Sequence, residues 1–463
     1  MILKIFNIYI PLRKLVIFFL ESLVIWGLVI LAVYLRFWDD RTGLVNFQEI
    51  VLKSFLIVFV VQLSLYYFDL YAQLSFLKTI EVIARLLQAL SVASIILGCL
   101  YYLFPQLLIG RGVFLILLAM MGTFFGLRLL YFYEVQRRQL NQKILIIGTG
   151  KLAKSIAENI LGNLDSGFSV IGFISDDPER VGMPLVNPSI IGDYSMLSEL
   201  VQRERPDRII VALEERRGKF PLSQLLDLKL HGVTIEDGAA FYEHLTGKLH
   251  VESLNPSNII FSGGFKRSKL TMWLKRMVEF FVSLVLAVLF APLLSMVSLL
   301  IKLESPGPVF YSQERVGKNG RRFKLFKFRS MAENAEENGP VWAGENDNRI
   351  TRVGRWLRKT RLDEVPQVIN VLKGDMSFVG PRPERPFFVD QLKQEIPYYD
   401  QRHTVHPGVT GYAQIRYPYG ASKEDALEKL KYDIYYIKYL SLVFDLFIIF
   451  ETVKVVLFGK GSR

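Results

Sequence analysis

Residues 143–160 read KILIIGTGKLAKSIAENI, an apolar run, a glycine-rich turn and a helical stretch. A short Ile/Leu run closed by Gly148 reads as a buried strand, so the segment opens a parallel α/β domain. Further apolar runs at 170–174 and 208–213 alternate with helical patterns and extend that domain to about residue 262. Gly148, Gly150 and Ala153 take the G-x-G-x-x-A spacing of a turn that cradles a pyrophosphate at a helix N-terminus. An acidic residue that would hold the ribose is expected about 20 positions further on. The acidic pair Asp176 and Asp177 comes later than that. Gly148, Gly150 and Ala153 are therefore a weak nucleotide candidate, and a scaffold or regulatory domain with a degenerate glycine turn is the expected reading.

Upstream of this domain the chain is far more apolar. The 463 residues, about three domain lengths, are 51% hydrophobic with a mean hydropathy of +0.28. That is too apolar for an ordinary soluble protein, whereas 22% charged residues are too many for membrane helices alone. Segments 15–36, 50–68, 82–104 and 113–133 each reach the roughly 20 residues that cross a bilayer. The first exceeds a signal-peptide core and is followed by further spans, so it is expected to be retained. Lys4, Arg13 and Lys14 precede it, and Asp39, Asp40, Arg41 and Glu49 occupy the next loop. The positive-inside rule places the N-terminus in the cytoplasm, and four crossings return the chain there near Arg137, Arg138 and Lys143. The single cysteine, Cys99, excludes an internal disulfide and a Cys-rich metal site. A net charge of +12 leaves nucleic acid, or an anionic membrane surface with phosphorylated substrates, as partner classes.

A fifth apolar segment, 277–301, is long enough to span but contains Pro292, which removes a backbone donor and kinks a helix. Lys266, Arg267, Lys269, Lys275 and Arg276 precede it and Lys302 follows. Positive charge at both ends predicts that both stay on the cytoplasmic face. The segment is thus read as a re-entrant helix–break–helix over about 272–303 with its kink at Pro292, in preference to a fifth full span that would put the rest of the chain outside.

The remaining sequence carries the chemistry. Seven basic residues and no acid lie between Arg315 and Arg329, and Arg349, Arg352, Arg355 and Arg358 recur at three-residue intervals, close to one helical face. Guanidinium rows suit phosphates of either lipid or substrate and specify no reaction. In LDEVPQVINVLKGD, Asp363 is expected as a helix N-cap, Pro366 in the first turn and Gly374 at the stop. A carboxylate there faces the positive end of the helix dipole and stays ionised. Glu364 points about 100° around the helix, which allows one carboxylate for nucleophilic attack and the other for Mg²⁺. In MSFVGPRPERP, Pro381 and Pro383 hold Arg382 in a restricted turn, followed by Arg385. Together these point to phosphoryl transfer with a metal and a carboxylate nucleophile.

The strings ESPGPVFYSQERVG, FKLFKFRSM, TRVGRWLRKTRLDEVPQVINVLKGDMSFVGPRPE and HPGVTGYAQIRYPYGAS occur in order between about 270 and 463. That region resembles the catalytic domain of the bacterial monotopic polyprenyl-phosphate sugar-1-phosphate transferases. The four upstream spans and the Rossmann-like middle domain resemble the family's long form, which starts exopolysaccharide or O-antigen repeat units. The resemblance implies that Asp363 attacks the β-phosphate of a UDP-sugar, releases UMP and carries the sugar-phosphate to undecaprenyl phosphate. It also implies Glu364 as the Mg²⁺ ligand, Lys327, Arg329, Arg358, Arg382 and Arg385 around phosphates, and Asp433 as a further acidic site residue. The kinked segment corresponds to the family's re-entrant helix, though a Ser-Pro of some relatives is Ala291-Pro292 here. A homodimer in the bacterial inner membrane, multi-pass, with its catalytic domain on the cytoplasmic face is implied likewise.

The expected architecture is a membrane protein of α and α/β class. It comprises a four-helix transmembrane domain (1–136), a Rossmann-like cytoplasmic domain (137–265) and a mainly helical catalytic domain (266–463). An apolar tail at 442–458, interrupted by Asp445, Glu451 and Lys454, is expected to lie along the interface or to pack as an ordinary terminal helix. One rival is a membrane-bound nucleotide-sugar dehydratase, whose Tyr-x-x-x-Lys pair is mimicked by Tyr419 and Lys423, but no second glycine fingerprint follows the middle domain. A non-catalytic membrane scaffold of polysaccharide assembly is the other. Nucleic acid is not expected, because the basic residues adjoin membrane segments and form no reading module.

Overall fold

The computed structural model describes residues 2–5, 8–36, 47–71, 79–107, 109, 124, 126, 130, 141–163, 166–213, 220–254, 256, 263–331, 349–417, 420 and 422–457. After a two-stranded sheet, β1 (Ile2–Ile5) and β2 (Ile8–Pro11), three of the expected spans are helices: α1 (Leu12–Arg36), α2 (Phe47–Tyr67) and α3 (Thr79–Leu103). They share a core that includes Ile25, Val29, Ile57, Leu65, Leu86 and Ala93. Phe19, Leu52 and Ile95 point outward instead, as on helices solvated by lipid. The fourth expected span, 113–133, lies outside the described residues except for Phe124, Gly126 and Leu130, which are helical.

The middle of the chain is a five-stranded parallel sheet in the order β5-β4-β3-β6-β7. Its strands are β3 (Gln142–Ile147), β4 (Phe168–Ser175), β5 (Ile190–Asp193), β6 (Arg208–Val211) and β7 (Thr234–Asp237). Helices α4 (Lys151–Leu161), α5 (Leu197–Glu204), α6 (Leu222–Leu230) and α7 (Gly238–Thr246) cover it. The strand period of two sorts β3 between two cores. Ile144 and Ile146 pack with Ile156 of α4 and Phe241 of α7, while Leu145 and Ile147 pack with Leu200 of α5 and Leu225 of α6. A strand buried on both faces explains its uninterrupted apolar run, and the Rossmann-like reading holds.

Gly148 has φ +116°, and a Cβ there would lie 2.5 Å from the carbonyl oxygen of Ala212. Glycine is thus required by the approach of β3 to the end of β6, whether or not a ligand binds. Asp177 accepts a hydrogen bond from the backbone N–H of Glu179 (3.0 Å), capping its own turn, and Arg180 reaches back to Thr149 Oγ1 (2.9 Å). Ala153 is fully buried in the core.

The chain divides into two compact units, Met1–Ile5 with Tyr9–Thr246, and Phe6–Ile8 with Gly247–Arg463. The second begins upstream of residue 266 because the connecting stretch packs on its helices: Leu249 N donates to Lys431 O (3.3 Å), Glu252 pairs with Lys431 (2.6 Å) and Phe265 N donates to Lys438 O (2.9 Å). This unit contains α8 (Lys269–Glu304), the antiparallel pair β8 (Phe310–Val316) and β9 (Arg322–Phe328), and α9 (Arg352–Lys359). A 3-10 segment, Leu362–Gln367, then runs into α10 (Val368–Lys373). The strands β10 (Ser377–Val379) and β11 (Gly408–Thr410) pair in parallel around α11 (Pro386–Glu395) and the 3-10 segment Tyr399–Thr404, and α12 (Tyr412–Arg416), α13 (Lys423–Lys438) and α14 (Leu442–Leu457) follow.

The expected helix–break–helix is corrected to one continuous 36-residue helix, α8, running through Pro292. Proline there leaves the carbonyl of Val288 without its helical donor, and its ring bends the helix at that turn while helical conformation continues on both sides. Ser295 and Ser298 return their hydroxyls to the carbonyls of Ala291 (2.9 Å) and Leu294 (2.7 Å), back-bonds that bend helices. The two ends of α8 bury different stripes in the same unit. Lys275, Glu279 and Ser283 are buried near its start and Val297 and Ile301 near its end, the latter against Phe328 and Leu357. Between them Phe281, Val285, Val288 and Leu289 are exposed, Val288 by 70%. Burying each such side chain is worth about 1.5–3 kcal/mol, so this stretch is built for an apolar medium.

Candidate active site

The site forms where the 3-10 segment Leu362–Gln367 meets β9 and the turn after β10. Asp363 is not the expected N-cap. The segment starts instead from Arg361, a non-glycine residue held at φ 59°, which places Asp363 one residue inside the first turn and Glu364 next to it. Gly374 ends α10 in the left-handed conformation (φ 91°), as expected.

Glu364 is a pinned anion. Its Oε1 accepts from Lys327 Nζ at 2.9 Å and from Arg382 Nη2 at 2.8 Å, and its Oε2 lies 3.9 Å from Arg361 Nη1. Burial alone would raise its pKa, but the Arg382 guanidinium foremost, with Lys327 and Arg361, holds it well below the usual carboxylate range. Asp363 differs. Among the described residues no hydrogen bond or ion pair reaches its carboxylate, which is buried. Burial outweighs the attraction of Lys327, Arg358 and Arg382 and, with the neighbouring Glu364 charge, pushes the Asp363 pKa up rather than down. The helix end therefore does not dominate. Two adjacent carboxylates are driven apart, one locked as a structural anion and one poorly solvated and unencumbered, the separation that assigns different roles to paired acids.

Each partner is fixed by an element outside the local sequence. Asn370, fully buried in α10, donates from Nδ2 to Lys324 O (2.7 Å) and accepts from Phe326 N (3.0 Å), bolting β9 and its Lys327 to the helix that continues from Glu364. Arg358 donates to Ser330 Oγ (2.9 Å). Behind it α9 lies so close that a Cβ at Gly354 would sit 2.0 Å from Ser330 O. Arg382 rides on a turn whose carbonyls are nearly all engaged. Pro381 O accepts from Gly408 N (3.0 Å), Arg382 O from Arg402 (3.0 Å), Pro383 O from Arg315 (3.0 Å) and Glu384 O from Val316 N (3.0 Å). The two prolines restrict the turn as expected, but Arg402 and Arg315, neither singled out from the sequence, hold it.

The remaining expected residues are placed differently. Arg329 is spent on structure, donating to the carbonyls of Pro306 (2.6 Å) and Ser305 (2.8 Å) at the exit of α8. Arg385 occupies the N-cap position of α11. Asp433 is buried and pairs with Arg402 at 2.8 Å. Burial pushes it up to about 6 against that pairing. Through Arg402, which also donates to Arg382 O, it is linked to the turn that carries Arg382. Lys423, the basic half of the dehydratase-like pair, bonds Glu395 (2.9 Å), and Tyr419 lies outside the described residues.

Among the described residues no group of three or more Asp, Glu, His or Cys side chains could enclose a metal ion alone. The adjacent carboxylates of Asp363 and Glu364 still suit Mg²⁺ of the kind held by one or two carboxylates with substrate phosphates completing its shell.

A desolvated carboxylate under the influence of Lys327, Arg358 and Arg382 is chemically suited to phosphoryl transfer. The bacterial sugar transferase model matches residues 270–459, and a CoA-binding domain model matches residues 66–234. An undecaprenyl-phosphate glucose phosphotransferase of Komagataeibacter xylinus is 32% identical over 397 residues, covering 78% of this chain and 72% of that protein. The exopolysaccharide production protein PSS of Rhizobium leguminosarum bv. phaseoli is 43% identical over 198 residues, 41% of this chain and 98% of that one. A UDP-N-acetylgalactosamine-undecaprenyl-phosphate N-acetylgalactosaminephosphotransferase of Aeromonas hydrophila is 45% identical over 221 residues, 48% of this chain and 52% of that protein, so the match spans about half of that relative. The chain belongs to the bacterial sugar transferase family.

Proposed function

We propose that this protein transfers a sugar-1-phosphate from a UDP-sugar to undecaprenyl phosphate, by way of a covalent intermediate on Asp363. The observation that carries the reading is the contrast between Glu364, tied by Lys327 and Arg382, and Asp363, buried and without a hydrogen-bond or ion-pair partner among the described residues. An Asp363 oxygen attacks the β-phosphorus of the donor. The phosphoanhydride bond breaks, and UMP departs with the bridging oxygen. The resulting acyl phosphate is attacked at phosphorus by an oxygen of undecaprenyl phosphate, which restores the carboxylate and yields undecaprenyl-diphospho-sugar. Lys327, Arg358 and Arg382 meet the charge that spreads over the phosphate oxygens. Mg²⁺, held through Glu364 and the donor's phosphates, would supply further charge there. Membranes containing the protein should move label from one member of a UDP-sugar panel into extractable polyprenyl lipid, with one UMP released per transfer. Label transfer without UMP release would refute the reading.

On this reading the acceptor presents its phosphate at the bilayer surface, next to the membrane-facing helix α8 whose Arg276 caps α10. Both ends of α8 pack on the catalytic unit while its middle is apolar and bare, which supports a helix that enters and leaves by the same face. Reporters fused after residue 140 and after residue 305 should both be cytoplasmic. Opposite locations would make α8 a crossing helix.

A further inference from the structure

The first turns of α8 insert charged side chains into the catalytic unit before the helix becomes wholly apolar. Arg276 donates to Val371 O (2.5 Å) and Leu372 O (2.9 Å), capping α10, the helix that continues from Asp363 and Glu364. Glu279 accepts from Phe378 N (3.3 Å) and from Ser377 Oγ at the start of β10. Lys275 Nζ donates to Val379 O (3.1 Å) and Tyr436 Oη (3.0 Å) and pairs with Asp445 (2.8 Å). Tyr436 Oη is itself 3.0 Å from Val379 O and 2.8 Å from Asp445 Oδ1. Lys275 and Tyr436 therefore converge, from two different helices, on the carbonyl three residues before Arg382, and Asp445 from a third helix holds both of them.

All three side chains are buried. A buried ion pair is often no more stabilising than an apolar replacement of the same shape, so stability does not account for this one. What it fixes is a backbone position. Beyond Val379 the turn cannot adjust, because a Cβ at Gly380 would lie 2.3 Å from His406 O and one at Gly408 would lie 2.1 Å from Gly380 N. A displacement at Val379 is thus passed on to Arg382 instead of being absorbed.

We propose that Lys275, Tyr436 and Asp445 are positioning residues for Arg382, so that the grip on the donor's phosphates depends on the seating of the membrane helix in the catalytic unit. The inference rests on the reading that Arg382 binds those phosphates. Its test is a double-mutant cycle in membranes carrying the full chain, with donor KM and kcat measured for Tyr436→Phe, Arg382→Ala and the pair. Tyr436→Phe removes one oxygen and keeps the ring. It is expected to raise the donor KM about tenfold, the effect of losing one hydrogen bond in a charged network, while the acceptor KM stays unchanged. In the Arg382→Ala background it should change donor KM less than about twofold. Asp445→Asn should repeat the pattern, and it decides the question if Tyr436→Phe accumulates poorly. Effects that multiply, or an unchanged donor KM in Tyr436→Phe, overturn the positioning role. If Arg382→Ala alone leaves donor KM unaltered, the phosphate-binding reading falls first and the coupling with it.

Discussion

Asp363→Asn should abolish transfer of sugar-phosphate to polyprenyl lipid, lowering it by about 10³-fold or more, because an amide cannot form the acyl phosphate. The protein should nevertheless insert and fold. Asp363 accepts no hydrogen bond among the described residues, and its burial penalises the charged form, so the amide relieves a cost. A trapped intermediate offers a second measurement. Labelled donor should leave acid-stable, hydroxylamine-sensitive label on the native chain and none on Asp363→Asn. Near-native turnover in the variant would exclude the covalent route, whichever sugar is used.

Glu364→Ala should fail differently. Lys327 and Arg382 approach the same oxygen within 2.9 Å, and removing it leaves two partly buried cations facing one another. Breaking a buried pair in this way costs about 3 kcal/mol, and at roughly 2–4 °C per kcal/mol the catalytic unit should melt several degrees lower. Glu364→Gln keeps an acceptor for both donors and should recover most of that stability. It should still lose about 10²-fold in activity, because the neutral amide holds Arg382 less firmly and is a poor Mg²⁺ ligand. Equal activity losses with no difference in melting between the two variants would show that Glu364 serves as a metal ligand without any part in the cation cage.

Much of this was legible without coordinates because it is local. The run ILII betrays a strand buried on two faces, the apolar segments give their lengths, and LDEVPQ and GPRPE announce two acids and a restricted arginine by adjacency alone. What escaped depends on distance along the chain. Arg402 meets Asp433 across 31 positions, Asn370 meets β9 across 44 and 46, and Arg315 meets Pro383 across 68. No periodicity records such a partner. A buried arginine looks the same in sequence whichever groups it meets, so nothing in the type of Arg329 announces that its guanidinium bonds the carbonyls at the exit of α8. The N-cap expectation for Asp363 missed for another reason. A residue at positive φ, Arg361, starts the segment two positions early, and nothing in an arginine's type foretells that conformation.

The arrangement at Lys275 also sets an order of events during synthesis. The lysine emerges on its apolar helix 161 positions ahead of Tyr436, and Asp445 comes later still. At about 5–20 residues per second, roughly 10–30 s pass before Asp445, the nearer of its two acidic partners, exists. For that interval Glu279, one helical turn on and 3.8 Å from Lys275 in the folded chain, is the acid at hand for the lysine. The apolar helix is thus made early, and the side chains that fix Val379 through Lys275 are completed only when the last two helices have docked.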